Sequence, residues 1–127
     1  MISNFLIIHC IGNDDKLGLR INKDFFIHHF KNSQNKNDQL VSEIFYLLDI
    51  NKVSLDENFS VIINLGPGSF SGIRIALAVA KGLEIAKKVR LFGYKNKDLK
   101  RFDQENVEKL LKKNLIEKKL IKPIYLS

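Results

Sequence analysis

Three closely spaced glycines, Gly66, Gly68 and Gly72, mark the part of this 127-residue sequence whose residue types could do chemistry. Glycine adopts backbone angles that other residues avoid, so such a turn can direct several main-chain N–H groups toward one anion at a helix start. A dinucleotide fingerprint, however, needs its third glycine at position 71, and a P-loop ends in Gly-Lys-Ser/Thr. Neither pattern is present, so the turn predicts either an anion contact or a tightly packed helix start.

Other candidate chemical groups are few. A nucleophile elbow needs a glycine two residues on either side of a serine, and neither Ser69 nor Ser71 has them. His28 and His29 are adjacent, so on a strand they point to opposite faces; we expect one to be packed and one solvated, with no metal between them. Cys10 is the single cysteine, which excludes a disulfide framework and a thiol metal cluster. We interpret it as a core residue.

The elements that position these residues are predicted from hydrophobic periodicity and turn residues. The first three strands form an antiparallel meander, and the whole order is βββαβαβ followed by a C-terminal amphipathic helix. Asp38 and Ser71 are the predicted N-caps of the first two helices. The strands are predicted over residues 5–11, 17–21, 25–30, 59–65 and 89–93, and the helices over residues 38–49, 71–88 and 104–119.

Residues 66–83, GPGSFSGIRIALAVAKGL, resemble the signature of the TsaB family, which takes part in tRNA threonylcarbamoyladenosine biosynthesis. Family members carry GPGSFTG, then an arginine-containing helix and Ala-Lys/Gln-Gly-Leu; Ser71 stands here where threonine is usual. The resemblance implies one α/β domain of the actin-like, sugar-kinase-like ATPase (ribonuclease H-like) type, with a mixed sheet and flanking helices. Periodicity alone predicts the same element order.

The resemblance also implies a domain organisation. Residues 1–95 match a TsaB-like N-terminal domain, whereas residues 96–127 are expected to be a basic helix and tail, the remnant of the family's second domain in a shortened member. ATPases of this superfamily use an acidic turn after the first strand, but residues 8–12 here contain no carboxylate. We therefore expect no catalytic residues, no metal site, no independent ATPase or peptidase activity, and no cofactor on the chain alone. ATP or ADP with Mg²⁺ is expected only in a complex.

In the family, the two helices pair with a TsaD catalytic subunit or a second TsaB copy. Both helices are apolar over wide arcs, which favours a covered face; the alternative is burial within the chain's own fold. Arg at Ala76 or Ala80 should then abolish pairing. The predicted partner-binding residues are Leu40, Val41, Ile44, Phe45, Leu48, Ile73, Ala76, Leu77, Ala80 and Leu83. For the glycine loop we favour a structural role at the start of the interface helix, with a nucleotide contact as the alternative; its residues are Gly66, Gly68, Ser69, Ser71, Gly72 and Arg74.

Charge is unevenly distributed along the chain. Residues 87–127 hold 13 Lys/Arg and 5 Asp/Glu, whereas residues 1–86 hold 8 and 9. The basic third could contact tRNA, or it could reflect a composition bias.

No signal peptide or membrane span is predicted, which favours a cytoplasmic protein. We interpret the chain as a non-catalytic scaffold that binds a TsaD-like protein and works with a TsaE-like ATPase. The resemblance implies that this complex modifies the adenosine next to the tRNA anticodon. The alternatives are a small basic RNA-binding protein or a homodimer.

Overall fold

The computed structural model describes residues 3–10, 14–31, 36–67 and 70–118. Within these ranges six strands form one mixed sheet in the order β3-β2-β1-β4-β5-β6. The predicted α/β class and the order βββαβαβ are confirmed. The strands are β1 Phe5–His9, β2 Asp14–Ile21, β3 Asp24–Lys31, β4 Ser60–Asn64, β5 Arg90–Tyr94 and β6 Ile116–Glu117; the helices are α1 Lys36–Ile50, α2 Phe70–Lys87 and α3 Gln104–Lys112, with a 3₁₀ turn over Asn96–Asp98.

The sheet combines the predicted antiparallel meander with parallel central strands. β2 pairs antiparallel with β1 and β3, whereas β4 runs parallel to both β1 and β5. All five residues of β1 and of β4 are buried. Both strands read as continuous apolar runs because helices cover both faces of the sheet.

Alternate residues of each strand belong to two separate cores. Leu6, Ile8 and Leu19 pack in the cluster beneath α1 and α2, and Cys10 lies in the same cluster, as predicted. The neighbouring positions Phe5 and Ile7 face the other way and pack with residues of α3. The sheet therefore divides the molecule into an α1/α2 side and an α3 side.

Two predicted helix caps are wrong. α1 begins at Lys36 and α2 at Phe70, so Asp38 and Ser71 lie inside the first turn of each helix. An acidic residue inside the first turn also favours a helix, through the macrodipole, so the residue type of Asp38 did not distinguish a cap from a position inside the first turn. None of the helices in the described ranges has the length and hydropathy needed to cross a membrane.

The predicted C-terminal helix is also too long, because α3 ends at Lys112 instead of residue 119. Asn114 has a φ of 55°, its N–H donates to Leu111 O, and the N–H of Leu115 donates to Leu110 O. These two bonds form a Schellman motif, in which an Asn in the left-handed region ends a helix and the next apolar residue packs back on it. The chain then pairs as β6 with β5, Tyr94 opposite Ile116.

The start of α3 at Gln104 is confirmed, and Asp103 caps it. The carboxylate of Asp103 accepts from the Asn106 backbone N–H at 2.8 Å and from the Asn106 side-chain amide at 2.8 Å. The backbone bond, followed by the side-chain bond, lowers the pKa of Asp103 below its usual value. The charged form is thus the one that stabilises the helix.

We predict that Asp103→Ala lowers the melting temperature at pH 7. Because the pKa of Asp103 is lowered in the folded state, the stabilisation is present above its unfolded value of 3.8 and is lost as pH falls through the folded pKa. The difference between variant and wild type should therefore shrink in acid, as measured by thermal melts from pH 7 to 3. Glu57→Ala, at an exposed loop position, is the control; a difference that does not change with pH would contradict the charged-cap argument.

Candidate functional site: the glycine loop and the outer face of two helices

The glycine loop lies at the carboxyl ends of parallel strands β1, β4 and β5, the edge at which open α/β sheets bind ligands. Gly66 has a φ of 93°, in the region that favours glycine, and the Gly66–Pro67 peptide bond is cis. Its N–H donates to Asn64 Oδ1 at 2.7 Å, and its carbonyl accepts from the Asn96 N–H at 2.9 Å. Gly68, Ser69 and the side chain of Ser71 lie outside the described residues.

A buried polar network, which the sequence analysis missed, holds the start of this loop. We call His9, Asn64, Tyr94 and Asn96 the loop-anchor network. His9 Nδ1 lies 2.8 Å from Tyr94 Oη and 3.1 Å from Asn64 Nδ2, and Asn64 Nδ2 donates to Asn96 Oδ1 at 3.0 Å. His9, Asn64 and Tyr94 are all buried. The network therefore joins the ends of three strands to the glycine loop.

The hydrogen bonds of Asn64 indicate the role of His9 Nδ1. Asn64 Oδ1 accepts from Gly66, so the atom facing His9 is the NH₂ group, a donor. With this orientation of the amide, His9 Nδ1 accepts from Asn64, and the Tyr94 hydroxyl lies within hydrogen-bond distance as a second donor. Burial raises the pKa of the Tyr94 phenol well above its usual range, so this donor stays protonated.

A carboxylate outside residues 8–12 reaches the same edge from β2. Asp15 lies opposite Cys10, is 2% exposed and hydrogen-bonds with the thiol. Burial, and then the charge of Asp15, raise the pKa of Cys10, so the thiol is not a reactive nucleophile. Among the described residues no cluster of three His, Cys, Asp or Glu could hold a metal ion.

The adjacent histidines behave as predicted. His28 is half-buried and pairs through Nε2 with Glu43 Oε2 of α1. Its ring also lies beside Tyr46, with centroids 5.9 Å apart. His29 points to the other face and is exposed. His28 therefore fastens the edge strand β3 to α1.

The structure corrects the predicted interface on α1 and α2. Most of its residues are enclosed by the chain's own sheet and support the helices from within, so they are not contacts for another protein. The alternative interpretation, burial within the fold, holds for them. These buried residues are Leu40, Ile44, Leu48, Ile73, Ala76, Ala80 and Leu83.

Other side chains of the two helices face solvent. Val41 and Phe45 are 38% and 40% exposed, and Leu77 is half-buried. Gly82 is exposed one turn after Ala78, and a Cβ added to Gly82 would meet nothing within 4 Å. We call the exposed set the outer helical face; it comprises Val41, Phe45, Tyr46, Ile50, Ala78, Gly82 and Ile85. Of these, sequence periodicity singled out Val41 and Phe45 as partner contacts.

Two further residues predicted for the glycine loop differ in their exposure to solvent. Arg74 is exposed in the first turns of α2, whereas Gly72 is buried. Both make interactions within the chain. Nucleotide contact by Gly66, Gly72 and Arg74 stays a prediction.

Comparison with known proteins relates this arrangement to one family, although no protein-family profile matches the chain. A stretch of 46 residues is 50% identical to the tRNA threonylcarbamoyladenosine biosynthesis protein TsaB of Buchnera aphidicola subsp. Baizongia pistaciae (strain Bp), covering 36% of this chain and 21% of that protein. The fold is similar to that of YeaZ from Pseudomonas aeruginosa, with a TM-score of 0.67 and 24% identity over 77% of this chain and 45% of that one.

A second structure, an uncharacterized protein with similarity to peptidase YEAZ from Pseudomonas aeruginosa, matches with the same TM-score, 0.67, and covers 44% of that chain. The chain thus spans less than half the length of the solved relatives it matches. The actin-like, ribonuclease H-like fold class and the resemblance to the TsaB family are confirmed.

We predict that Tyr94→Phe lowers the free energy of unfolding by about 1 kcal/mol, because it removes one buried hydrogen bond while the ring still packs. Chemical denaturation measures the change. Tyr46→Phe, on an exposed tyrosine, is the matched control and should shift stability by less than about 0.5 kcal/mol. Equal effects of the two changes would show that the loop-anchor network contributes little to stability.

Arginine at Ala76 should unfold the chain instead of only blocking an interface, because it would place an unpaired charge in the core at a cost of about 3–5 kcal/mol. Arginine at the exposed Ala78, two residues away on the same helix, should change stability by less than about 0.5 kcal/mol. Circular dichroism and denaturant titration of Ala76→Arg and Ala78→Arg test this. A folded Ala76→Arg variant would mean that α2 does not pack as described.

Proposed function

We propose that this chain, which is similar to a TsaB protein over 46 residues, is a non-catalytic subunit of a cytoplasmic complex that makes threonylcarbamoyladenosine in tRNA. It would bind a TsaD-like catalytic protein through the outer helical face, with a TsaE-like ATPase acting on the assembly. The observation that carries this proposal is the 46-residue stretch with 50% identity to a TsaB protein. The exposed apolar side chains of α1 and α2 support it.

The outer helical face has the composition of a surface that another protein covers. Tyr46 and Ile50 are more than half exposed, and Ile85 is 78% exposed. Apolar surface gains about 25 cal/mol per Å² when it leaves water, so several large side chains together favour association. The small residues Ala78 and Gly82 leave room for a partner helix beside this apolar set.

A supporting role agrees with the chemistry of the loop edge. The hydrogen bonds of His9 at this edge join it to Asn64 and Tyr94, and all three residues are buried. These polar groups therefore stabilise the start of the loop. Mg²⁺ takes oxygen ligands together with waters and substrate phosphates. Asp15, a buried carboxylate that reaches this edge, is enclosed and bonded to a thiol, which does not fit such a site. We therefore propose that partner proteins supply the ligands for any ATP, ADP or Mg²⁺ that is bound at the glycine-loop edge in the complex.

The proposal is tested by mixing the chain with the TsaD-like protein of the same source and measuring mass by light scattering and affinity by calorimetry. We expect a stoichiometric complex that Phe45→Glu weakens at least about 100-fold, the effect of losing an interface hot spot. Ile27→Glu is the matched control: Ile27 is 38% exposed but lies on the opposite face of the sheet. It should change affinity less than about twofold.

Three outcomes would contradict parts of this proposal. No complex between well-folded proteins would refute pairing through this chain. Equal weakening by Phe45→Glu and Ile27→Glu would place the interface elsewhere. A homodimer that Phe45→Glu dissociates, with no TsaD-like partner bound, would assign the outer helical face to a second copy of the chain.

A further inference from the structure

An open groove lies on the α3 side of the sheet, away from the outer helical face. Its volume is about 670 Å³, within the range of small-molecule sites. Residues of β2, β5, β6 and α3 line it. The cationic lining residues are Arg20, Arg90, Lys112 and Lys118, and the lining includes Phe92 and Ile116 as apolar members.

Two of these cations belong to one row of side chains across the sheet. Arg20 pairs with Phe5, Phe5 with Ser60, and Ser60 with Arg90, so the four residues run from β2 to β5 at one level. Three strand spacings separate the Cα atoms of the two arginines by about 14 Å. Both long side chains border the same groove.

Each guanidinium is held at one end and has an unused donor. Arg20 Nη1 donates to Glu108 Oε1 at 2.6 Å, and Arg90 Nη2 donates to Asn58 O at 3.0 Å. The Nε atoms of both arginines are buried, and no atom of the described residues accepts from them. Ser60 Oγ, between them in the row, is buried without a protein partner as well. Unpaired buried donors destabilise the folded chain, so a phosphate that the two arginines shift to meet would restore hydrogen bonds that the described residues do not supply.

The groove also offers an apolar surface and an excess of positive charge. Phe92 is half-buried, so part of it faces the groove beside Ile116. Four cations line the groove against one carboxylate, Glu108, which is already paired with Arg20. A fixed guanidinium recognises phosphate well, and an aromatic side chain stacks on a base.

We propose that this groove binds a nucleotide, with its phosphate between Arg20 and Arg90 and its base against Phe92. The nucleotide could be free or part of an RNA strand, because the recognised groups are the same. The inference is independent of pairing through the outer helical face, which lies on the other side of the sheet.

The first experiment titrates the chain with AMP, adenosine and ribose 5-phosphate by calorimetry, with NMR amide shifts as the readout of location. We expect AMP to bind with a Kd of about 1 mM or tighter. Adenosine and ribose 5-phosphate, which lack the phosphate and the base respectively, should each bind at least about tenfold more weakly. AMP binding should also weaken as salt rises.

Arg90→Met removes the guanidinium but keeps an apolar stem, and should weaken AMP binding at least about tenfold. Lys87→Met, an equal loss of charge on an exposed position of α2, should change the Kd less than about twofold. If Arg90→Met does not fold, the double variant Lys112→Gln/Lys118→Gln is expected to give the weakening instead.

No amide shifts with AMP at about ten times the expected Kd would overturn the proposal, as would equal effects of Arg90→Met and Lys87→Met. An adenosine-only RNA hexamer distinguishes the two sources. Binding at least about tenfold tighter than AMP assigns the groove to an RNA strand, and binding no tighter than AMP assigns it to a free nucleotide; both support the site. Arg90→Met should leave affinity for the TsaD-like protein unchanged. The nucleotide site in the groove and the pairing through the outer helical face can therefore fail independently.

Discussion

The side-chain amide of Asn64 is the interaction on which the functional edge depends. Its oxygen accepts from the Gly66 N–H, and its nitrogen reaches both His9 and Asn96. One planar group thus holds the chain where it leaves β4 at Gly66 and ties that point to the ends of β1 and β5.

The sheet separates two surfaces that differ in chemistry. On one side, α1 and α2 bury their inner residues and present apolar side chains outward. On the other side, α3 covers only part of the sheet, so arginines from β2 and β5 border an open groove. Successive residues of a strand, such as Leu19 and Arg20, point to opposite faces of the sheet. The residues beneath α1 and α2 and the arginines of the groove therefore occupy separate faces. A small chain can therefore carry two independent surfaces.

Hydrophobic periodicity predicted β1 to β5 and the first two helices to within a few residues, because the apolar pattern of each fits either a strand or a helix but not both. It did not predict β6, which lies within the range assigned to the third helix. Periodicity gave a wrong or incomplete prediction where one apolar pattern fits two different structures. Leu115 fits the apolar side of a longer helix, yet it packs back after Asn114 turns the chain. Likewise, an apolar helix residue such as Ala76 fits its own sheet or a partner equally well. His9 and Tyr94 are 85 residues apart, so no local pattern could have indicated their hydrogen bond.

The shortness of α3 has a consequence for the dynamics of the groove. A helix of nine residues is too short to persist in water by itself, so α3 depends on the Asp103 cap, the turn at Asn114 and the packing of Val107 and Leu110. Elements held by so few interactions open locally before the rest of the fold. The groove exists only while α3 is docked, so any molecule bound there would slow the exchange of every amide whose opening requires α3 to undock. These amides include those in the last third of the described chain and those of central strands that exchange only by global unfolding.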